Sequence, residues 1–148
     1  MAYFTSEYEC KLDSKGRMML PARIKSALPA AASGGELVLR RGFEPCLVCY
    51  PYTEYKKVFS KIASLNEFNE EYRTLQRNFF RGNVQVELDG SGRLLIPKTM
   101  MRYADLDKDV IVVGMGNRFE LWNPVKYEDY LIQDRNEFSK LAEKYLSE

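Results

Sequence analysis

The sequence predicts an α+β chain built as a tandem repeat, its two halves related by pseudo-twofold symmetry and sharing one barrel-like core with flanking helices. Three observations predict it. LDSKGRMMLP at residues 12–21 returns as LDGSGRLLIP at 88–97, an offset of 76. A strand-like alternation precedes each copy. No Gly/Ser- or Pro-rich linker separates the halves, so they read as one integrated fold.

The elements follow in the same order in each half. Tyr8, Cys10 and Leu12 alternate with Glu9 and Lys11, and Val84, Val86 and Leu88 alternate with Gln85 and Glu87. Both are period-two strands with one buried face. Asp13 to Gly16 and Asp89 to Gly92 each place Asp first and Gly fourth, as a type I turn prefers. Short apolar runs come next. Pro21 and Pro97 are then expected as the first helical residues of PARIKSAL and PKTMMRYA, with Pro29 closing the first helix. AAASGG after Pro29 is a local insertion that shrinks the repeat offset to 72, aligning Cys49 with Leu121 and Tyr50 with Trp122. Each half continues with a strand pair, ELVLRRGFEPCLVCYP and DVIVVGMGNRFELWNP, bent at Gly42 and at Gly114–Gly116.

A helix closes each half. Tyr55, Val58, Phe59, Ile62 and Leu65 recur at helical spacing in the first. Tyr127, Tyr130 and Leu131 begin the pattern in the second, and Phe138, Leu141 and Tyr145 continue it in a tail helix. LNEFNEEYRTLQRNFFRGN joins the halves and reads as largely helical. The expected units are a first repeat at 1–81 and a second at 82–148. A single such half would bury little and leave sheet edges open.

Composition excludes several function classes. The chain has 148 residues, three cysteines and no histidine. Without histidine, Ser-His-Asp and Cys-His catalysis and most transition-metal sites fall away. Neither a Ser nucleophile motif nor a clustered carboxylate site is visible, so no catalytic residue, metal or cofactor is expected. Asp105, Asp107 and Asp109 precede a strand and are expected to cap and solvate it. Cys46 and Cys49 form a C-x-x-C but lie in a strand reading LVCY, with Cys49 expected opposite Leu121; small core residues is the favoured reading. Gly114-Met-Gly116 reads as a hairpin turn, and Arg40 and Arg41 as a turn on a solvated face by default, with added phosphate contacts as the alternative. MAYFTSEYEC shows no secretory signal and the aliphatic run Val110–Val113 is too short to span a bilayer, so a cytoplasmic protein without membrane contact is expected.

The charge pattern is more telling than the net charge of +1. Residues 1–81 hold 13 Lys+Arg and 9 Asp+Glu, a balance of +4; residues 82–148 hold 9 and 12, a balance of −3. Lys11, Lys15, Arg17, Arg23 and Lys25 face a single acid, Asp13, over residues 11–25. A lone D-x-x-G-R is explained by a turn in which the carboxylate braces the arginine. The basic neighbours add a second reading: a cluster able to neutralise several phosphates, with Arg17 suited to guanine O6 and N7 and Asp13 holding its fork. The second copy, with Arg93, Lys98 and Arg102 against Glu87 and Asp89, is less basic, so the first repeat is expected to dominate DNA contact.

The L-D-x-x-G-R-x-x-[LI]-P phrase in both halves resembles the AbrB/MazE/SpoVT superfamily of bacterial DNA-binding proteins. Its tandem arrangement, with VGMGNRFELW near the end, resembles the MraZ family across almost the whole chain. The resemblance implies a double-split, swapped-hairpin β-barrel whose AbrB-like segments cover about 7–53 and 83–126. It implies a ring-shaped homo-oligomer, octameric or dodecameric, associated with the nucleoid. Its partner would be double-stranded promoter DNA, read at short G-rich direct repeats of the division and cell-wall gene cluster. The family's D-x-x-x-R motif maps onto Asp13 with Arg17 and Asp89 with Arg93. Lys15 has Ser91 as its counterpart, so a binding role there does not transfer to the second half. Lys15, Arg23 and Lys25 complete the expected DNA-binding set. The superfamily also contains antitoxins with disordered toxin-binding tails, but NEFSKLAEKYLSE reads as a structured amphipathic helix.

Overall fold

A computed structural model describes residues 3–29 and 36–147. It contains strands β1 (Glu7–Lys11), β2 (Arg17–Met19), β3 (Leu37–Arg41), β4 (Leu47–Pro51), β5 (Val84–Val86), β6 (Arg93–Leu95), β7 (Asp109–Gly114) and β8 (Phe119–Trp122). The helices are α1 (Ala22–Ser26), α2 (Tyr52–Ala63), α3 (Glu70–Phe80), α4 (Lys98–Tyr103), α5 (Pro124–Asp129) and α6 (Arg135–Leu146). The AAASGG insertion lies outside the described residues.

Six strands form one antiparallel sheet in the order β1-β7-β8-β4-β3-β5, and β2 and β6 form a two-stranded ribbon. The order shows an exchange between the halves. β1 of the first half pairs with β7 of the second, and β5 of the second pairs with β3 of the first. The exchange gives each exchanged strand a hydrogen-bonded neighbour from the other half, and leaves β1 and β5 as the two edges of the sheet. Isolated bridges join Leu12 to Met18 and Leu88 to Leu94 across the two D-x-x-G turns.

The register reveals the pseudo-twofold axis. Met18 pairs with Leu94, its counterpart at offset 76, and Val48 pairs with Glu120, its counterpart at offset 72. Only residues on such an axis face their own counterparts; residues to either side cross over. Cys49 therefore pairs with Phe119, and Leu47 takes Leu121. The expected apposition of Cys49 and Leu121 was a sequence equivalence, which antiparallel pairing converts into a contact only at the axis.

Strand alternation divides the apolar residues into two layers. Leu37, Leu39, Leu47, Val110, Val112 and Leu121 turn to one face of the sheet, where Met18 and Leu94 of the ribbon and Ile24 and Met100 of the short helices join them. Val38, Val48, Tyr50, Ile111 and Trp122 turn to the other, under Tyr55 of α2, Phe79 of α3 and Tyr127 of α5. Ile24 and Met100 are repeat counterparts, so one buried residue per short helix anchors each copy in the same way.

Two local readings change. Pro21 and Pro97 are the N-cap residues of α1 and α4, with ψ of 141° and 145°, and the helices begin one residue later. The ring fixes φ near the helical value, but these extended ψ angles place both prolines just outside the helix. Arg40 is buried and is not a solvated turn residue. Its Nε and Nη2 donate to the Tyr50 hydroxyl at 3.3 and 2.9 Å, and its guanidinium lies over the rings of Phe43, Tyr50 and Phe79. A planar cation can be buried this way, its faces covered by aromatic rings and its edge hydrogen-bonded. Arg41 lies over the Tyr103 ring.

Candidate nucleic-acid interface

Each D-x-x-G-R phrase folds into the same turn. The Gly16 N–H donates to the Asp13 carbonyl at 3.1 Å and the Asp13 N–H to the Arg17 carbonyl at 2.9 Å. Gly92 and Asp89 repeat both bonds at 2.9 Å, the latter to Arg93. This is a type I turn followed by a left-handed residue, and φ of +81° at Gly16 and +82° at Gly92 explains the glycine. One Asp13 carboxylate oxygen accepts from the Lys15 and Arg17 N–H groups, each at 2.9 Å, and the other from Arg17 Nε at 2.8 Å. Asp89 makes the same three bonds to Ser91 and Arg93. The brace read from the sequence is thus present twice. Because it uses only Nε, Nη1 and Nη2 of both arginines keep no hydrogen-bond partner among the described residues.

These bonds set the Asp13 titration. The Arg17 N–H, then the Arg17 guanidinium and the Lys15 N–H, hold its carboxyl at about 2 against an ordinary 3.8, with partial desolvation opposing them. Asp89 is lowered in the same way, by the Arg93 N–H first, then the Ser91 N–H and the Arg93 guanidinium, against partial desolvation. A carboxyl whose folded value is depressed stabilises the fold above its unfolded value and loses that contribution as pH falls through its folded value. The Asp13 brace is therefore complete above about pH 4 and released as pH falls through about 2. A carboxyl-carbon NMR titration is expected to place the Asp13 midpoint near 2; a midpoint near 3.8 would show an unbraced side chain.

The two motifs meet in the β2–β6 ribbon. Arg17 lies opposite Leu95 and Met19 opposite Arg93. Alternation turns Met18 and Leu94 inward and leaves Arg17, Met19, Arg93 and Leu95 on the outer face, with Met19 and Leu95 more than half exposed. The sequence places one arginine in each half, and the ribbon brings both to one surface. Met19 and Leu95 join them there, as the alternation within RMM and RLL signals.

The basic cluster at 11–25 is redistributed. Lys11 leaves it, bonded to Asp109 at 2.8 Å on the β1–β7 edge. Lys25 stands over the second turn, where a methyl group placed on Gly92 would meet its Nζ at 2.6 Å. The second half returns the exchange: Lys98, Met101 and Arg102 of α4, with the acid Asp105 just after it, join Ser14, Lys15 and Gly16 of the first turn around a cavity of about 330 Å³. Arg23 is exposed on α1. The first turn thus gathers Lys15, Arg17, Lys98 and Arg102, while the second has Arg93 and Lys25. The greater charge stays with the first turn, but half of it comes from the second repeat.

The other candidates resolve into structure. Cys46 and Cys49 are free and lie in opposite core layers, and burial pushes both thiols far above the ordinary thiol range. A thiol-reactive chromophore is expected to label at most Cys10 in the native protein and all three cysteines after denaturation; native labelling of Cys46 or Cys49 would contradict this packing. Asp109 is taken by Lys11, and Asp105 reaches Lys126 at 3.8 Å. Among the described residues, Glu44, Cys46 and Glu120 are the one group with three ligand-type atoms within 4.8 Å of one another. No helix of these residues is long and apolar enough to cross a membrane.

Fold and ribbon together define a class: an α+β tandem-repeat protein whose halves jointly build one exposed, arginine-bearing surface. The chain belongs to the MraZ family, a family of transcriptional regulators and not an enzyme class; residues 3–78 and 79–147 each match the family described as "MraZ protein, putative antitoxin-like". It is 60% identical to the protein named transcriptional regulator MraZ of Cytophaga hutchinsonii, over 99% of this chain and 97% of that one. It is 37% identical to the protein of that name from Halothermothrix orenii, over 94% of each chain. For the Bifidobacterium longum protein of that name the identity is 38%, over 95% of this chain and 91% of its relative.

Proposed function

We propose that this chain regulates transcription by binding double-stranded promoter DNA through the β2–β6 ribbon. The observation that carries the reading is the convergence of both D-x-x-G-R turns on one exposed ribbon, each arginine braced through Nε with its Nη fork open. A two-stranded ribbon fits the major groove, about 12 Å wide, and an end-on guanidinium matches guanine O6 and N7. Asp13 and Asp89 position the arginines; Arg17 and Arg93 read base edges. Lys15, Arg23, Lys25, Lys98 and Arg102 face phosphates. Met19 and Leu95 supply apolar contact, of the kind a thymine methyl accepts.

The finer architecture belongs to the same proposal. The β1–β7 and β5–β3 exchange, with the bridges Leu12–Met18 and Leu88–Leu94, supports a closed swapped-hairpin barrel made of repeats 1–81 and 82–148. One ribbon reads only a few base pairs, and several copies raise avidity through effective concentration. A head-to-tail ring presents its ribbons in one rotational sense, which suits direct repeats in the promoter of the division and cell-wall gene cluster. The protein acts in the cytoplasm, on the nucleoid.

Fluorescence anisotropy over a salt series tests the reading, using the duplex upstream of the protein's own gene against a scrambled duplex. The native duplex is expected to bind more tightly at every salt concentration. The log–log salt slope is expected near −0.9 for each engaged cation, up to roughly −4 to −5 per bound subunit. Equal binding of the two duplexes, or a flat slope, would reject it.

A further inference from the structure

The outer face of the sheet carries a charge arrangement that the fold does not require. One row crosses three strands there: Glu120 of β8 pairs with Val48 of β4, and Val48 with Arg40 of β3. Neighbouring strands lie about 4.8 Å apart, so the backbones of Arg40 and Glu120 stand roughly 10 Å from each other with Val48 between them. The two side chains do not pair. Arg40 is 5% exposed, yet no carboxylate lies within ion-pair distance of it among the described residues. Its three hydrogen bonds go to neutral acceptors, the Tyr50 hydroxyl and the Arg41 carbonyl. A guanidinium has five N–H donors, so two keep no partner among the described residues. Glu120 is likewise held by a neutral donor, Trp122 Nε1 at 2.8 Å. In the β7–β8 hairpin the position equivalent to Arg40, opposite Glu120, is taken by Val113. An apolar residue therefore serves there, and the arginine is not a demand of the repeat.

Between these two residues the outer face is hollow. A cavity of about 290 Å³ has Val48 in its floor, and Val58 and Ile62 of α2 and Phe79 of α3 as an apolar wall. Arg40 and Arg118 face it with positive charge, Glu44 and Glu120 with negative charge. Carboxylate oxygens of Glu44 and Glu120 come within 4.8 Å of each other, and neither side chain has a cationic partner among the described residues. Phe43 lies over the Arg40 guanidinium and is 77% exposed at the rim. A buried charge is stable only when it is met by an opposite one. The cavity thus calls for an anion at Arg40 and a cation at the two glutamates. A divalent ion on Glu44, Cys46 and Glu120 would meet only the second demand, with two arginines beside it. The volume lies at the small end of ligand cavities, which suits a single amino acid and not a nucleotide.

We propose that this cavity binds a free α-amino acid with an apolar side chain. The carboxylate accepts from the open N–H groups of Arg40, the ammonium donates to Glu120 and Glu44, and the side chain lies against Val58, Ile62 and Phe79. A zwitterion meets both charges at once, whereas a simple carboxylate or a simple amine leaves one of them unmet. The cavity lies on the sheet face opposite the β2–β6 ribbon, so the proposal stands independently of the DNA reading.

Isothermal titration calorimetry of the full-length protein tests it. The probes are L-leucine and L-phenylalanine, with isocaproate and isoamylamine, which are leucine without its ammonium and leucine without its carboxylate. At least one of the two amino acids is expected to bind saturably below about 10 mM, and neither leucine fragment should bind in that range. Glu120 is only partly buried, so E120Q should fold, and it is expected to weaken amino-acid binding roughly 10- to 100-fold. The comparison of probes on the wild type decides the question even if that variant does not fold. Failure of both amino acids to bind, equal binding of either fragment, or unchanged affinity in folded E120Q would overturn the proposal. Saturable binding of Zn²⁺ with no amino acid bound would overturn it in favour of a metal site on Glu44, Cys46 and Glu120.

Discussion

Replacing Arg17 with Ala is expected to weaken binding of the native promoter duplex by about 5- to 150-fold at fixed salt, from the ~1–3 kcal/mol that a bidentate base contact contributes. The loss should fall on discrimination: native and scrambled duplexes converge while the salt slope changes little. Lys15→Ala should do the reverse, lowering the slope by about 0.9 with discrimination retained. Arg93→Ala is expected to cost less than Arg17→Ala, because the first turn also gathers Lys15, Lys98 and Arg102. Competition anisotropy with the three variants decides the ranking, and a larger loss for Arg93→Ala would reject it. Arg17→Ala keeps the Lys15 and Arg17 N–H bonds to Asp13 and removes only a partly solvated ion pair, so it should change thermal stability little.

Leu94→Ala is expected to produce the opposite separation. Leu94 is fully buried, pairs with Met18 on the pseudo-twofold axis and bridges to Leu88. Truncating a buried leucine costs about 2–5 kcal/mol, and the side chain here supports both hairpins at once. For a chain of this size that corresponds to a fall in melting temperature of roughly 5–20 °C. Leu95→Ala, one residue away on the outer face, should melt within a few degrees of wild type and affect only DNA binding. Equal melting temperatures for the two variants would show that the ribbon is not packed on the core.

These two sites mark what the sequence disclosed and what it withheld. The duplicated turn, its Asp–Arg brace, the strand order within each half and the tail helix are local features; turn chemistry and periodicity encode them within a few residues. The partner of each strand is not local. Glu7 to Lys11 carry the pattern of a half-buried strand, but nothing in those residues says that β7 of the other half completes the ladder. The fate of the basic cluster failed for the same reason: Lys11 and Lys25 are near Arg17 in sequence, while Lys98 and Arg102 approach the first turn only through the exchange. Arg40 reads as surface because its aromatic cover, Tyr50 and Phe79, comes from two other elements.

The exchange also constrains how the chain can be made. Lys11 and its partner Asp109 are 98 residues apart, and β1 has no ladder until β7 exists. At about 5–20 residues per second, β1 waits on the order of 5–20 s during synthesis with its backbone unpaired. Its outward residues, Glu7, Glu9 and Lys11, are all charged. In the finished fold Lys11 bonds Asp109 and Glu7 accepts from the Tyr127 hydroxyl at 2.9 Å. Before then, the same charges make β1 a poor template for another nascent chain, so one short strand is guarded while it waits and latched once its partner arrives.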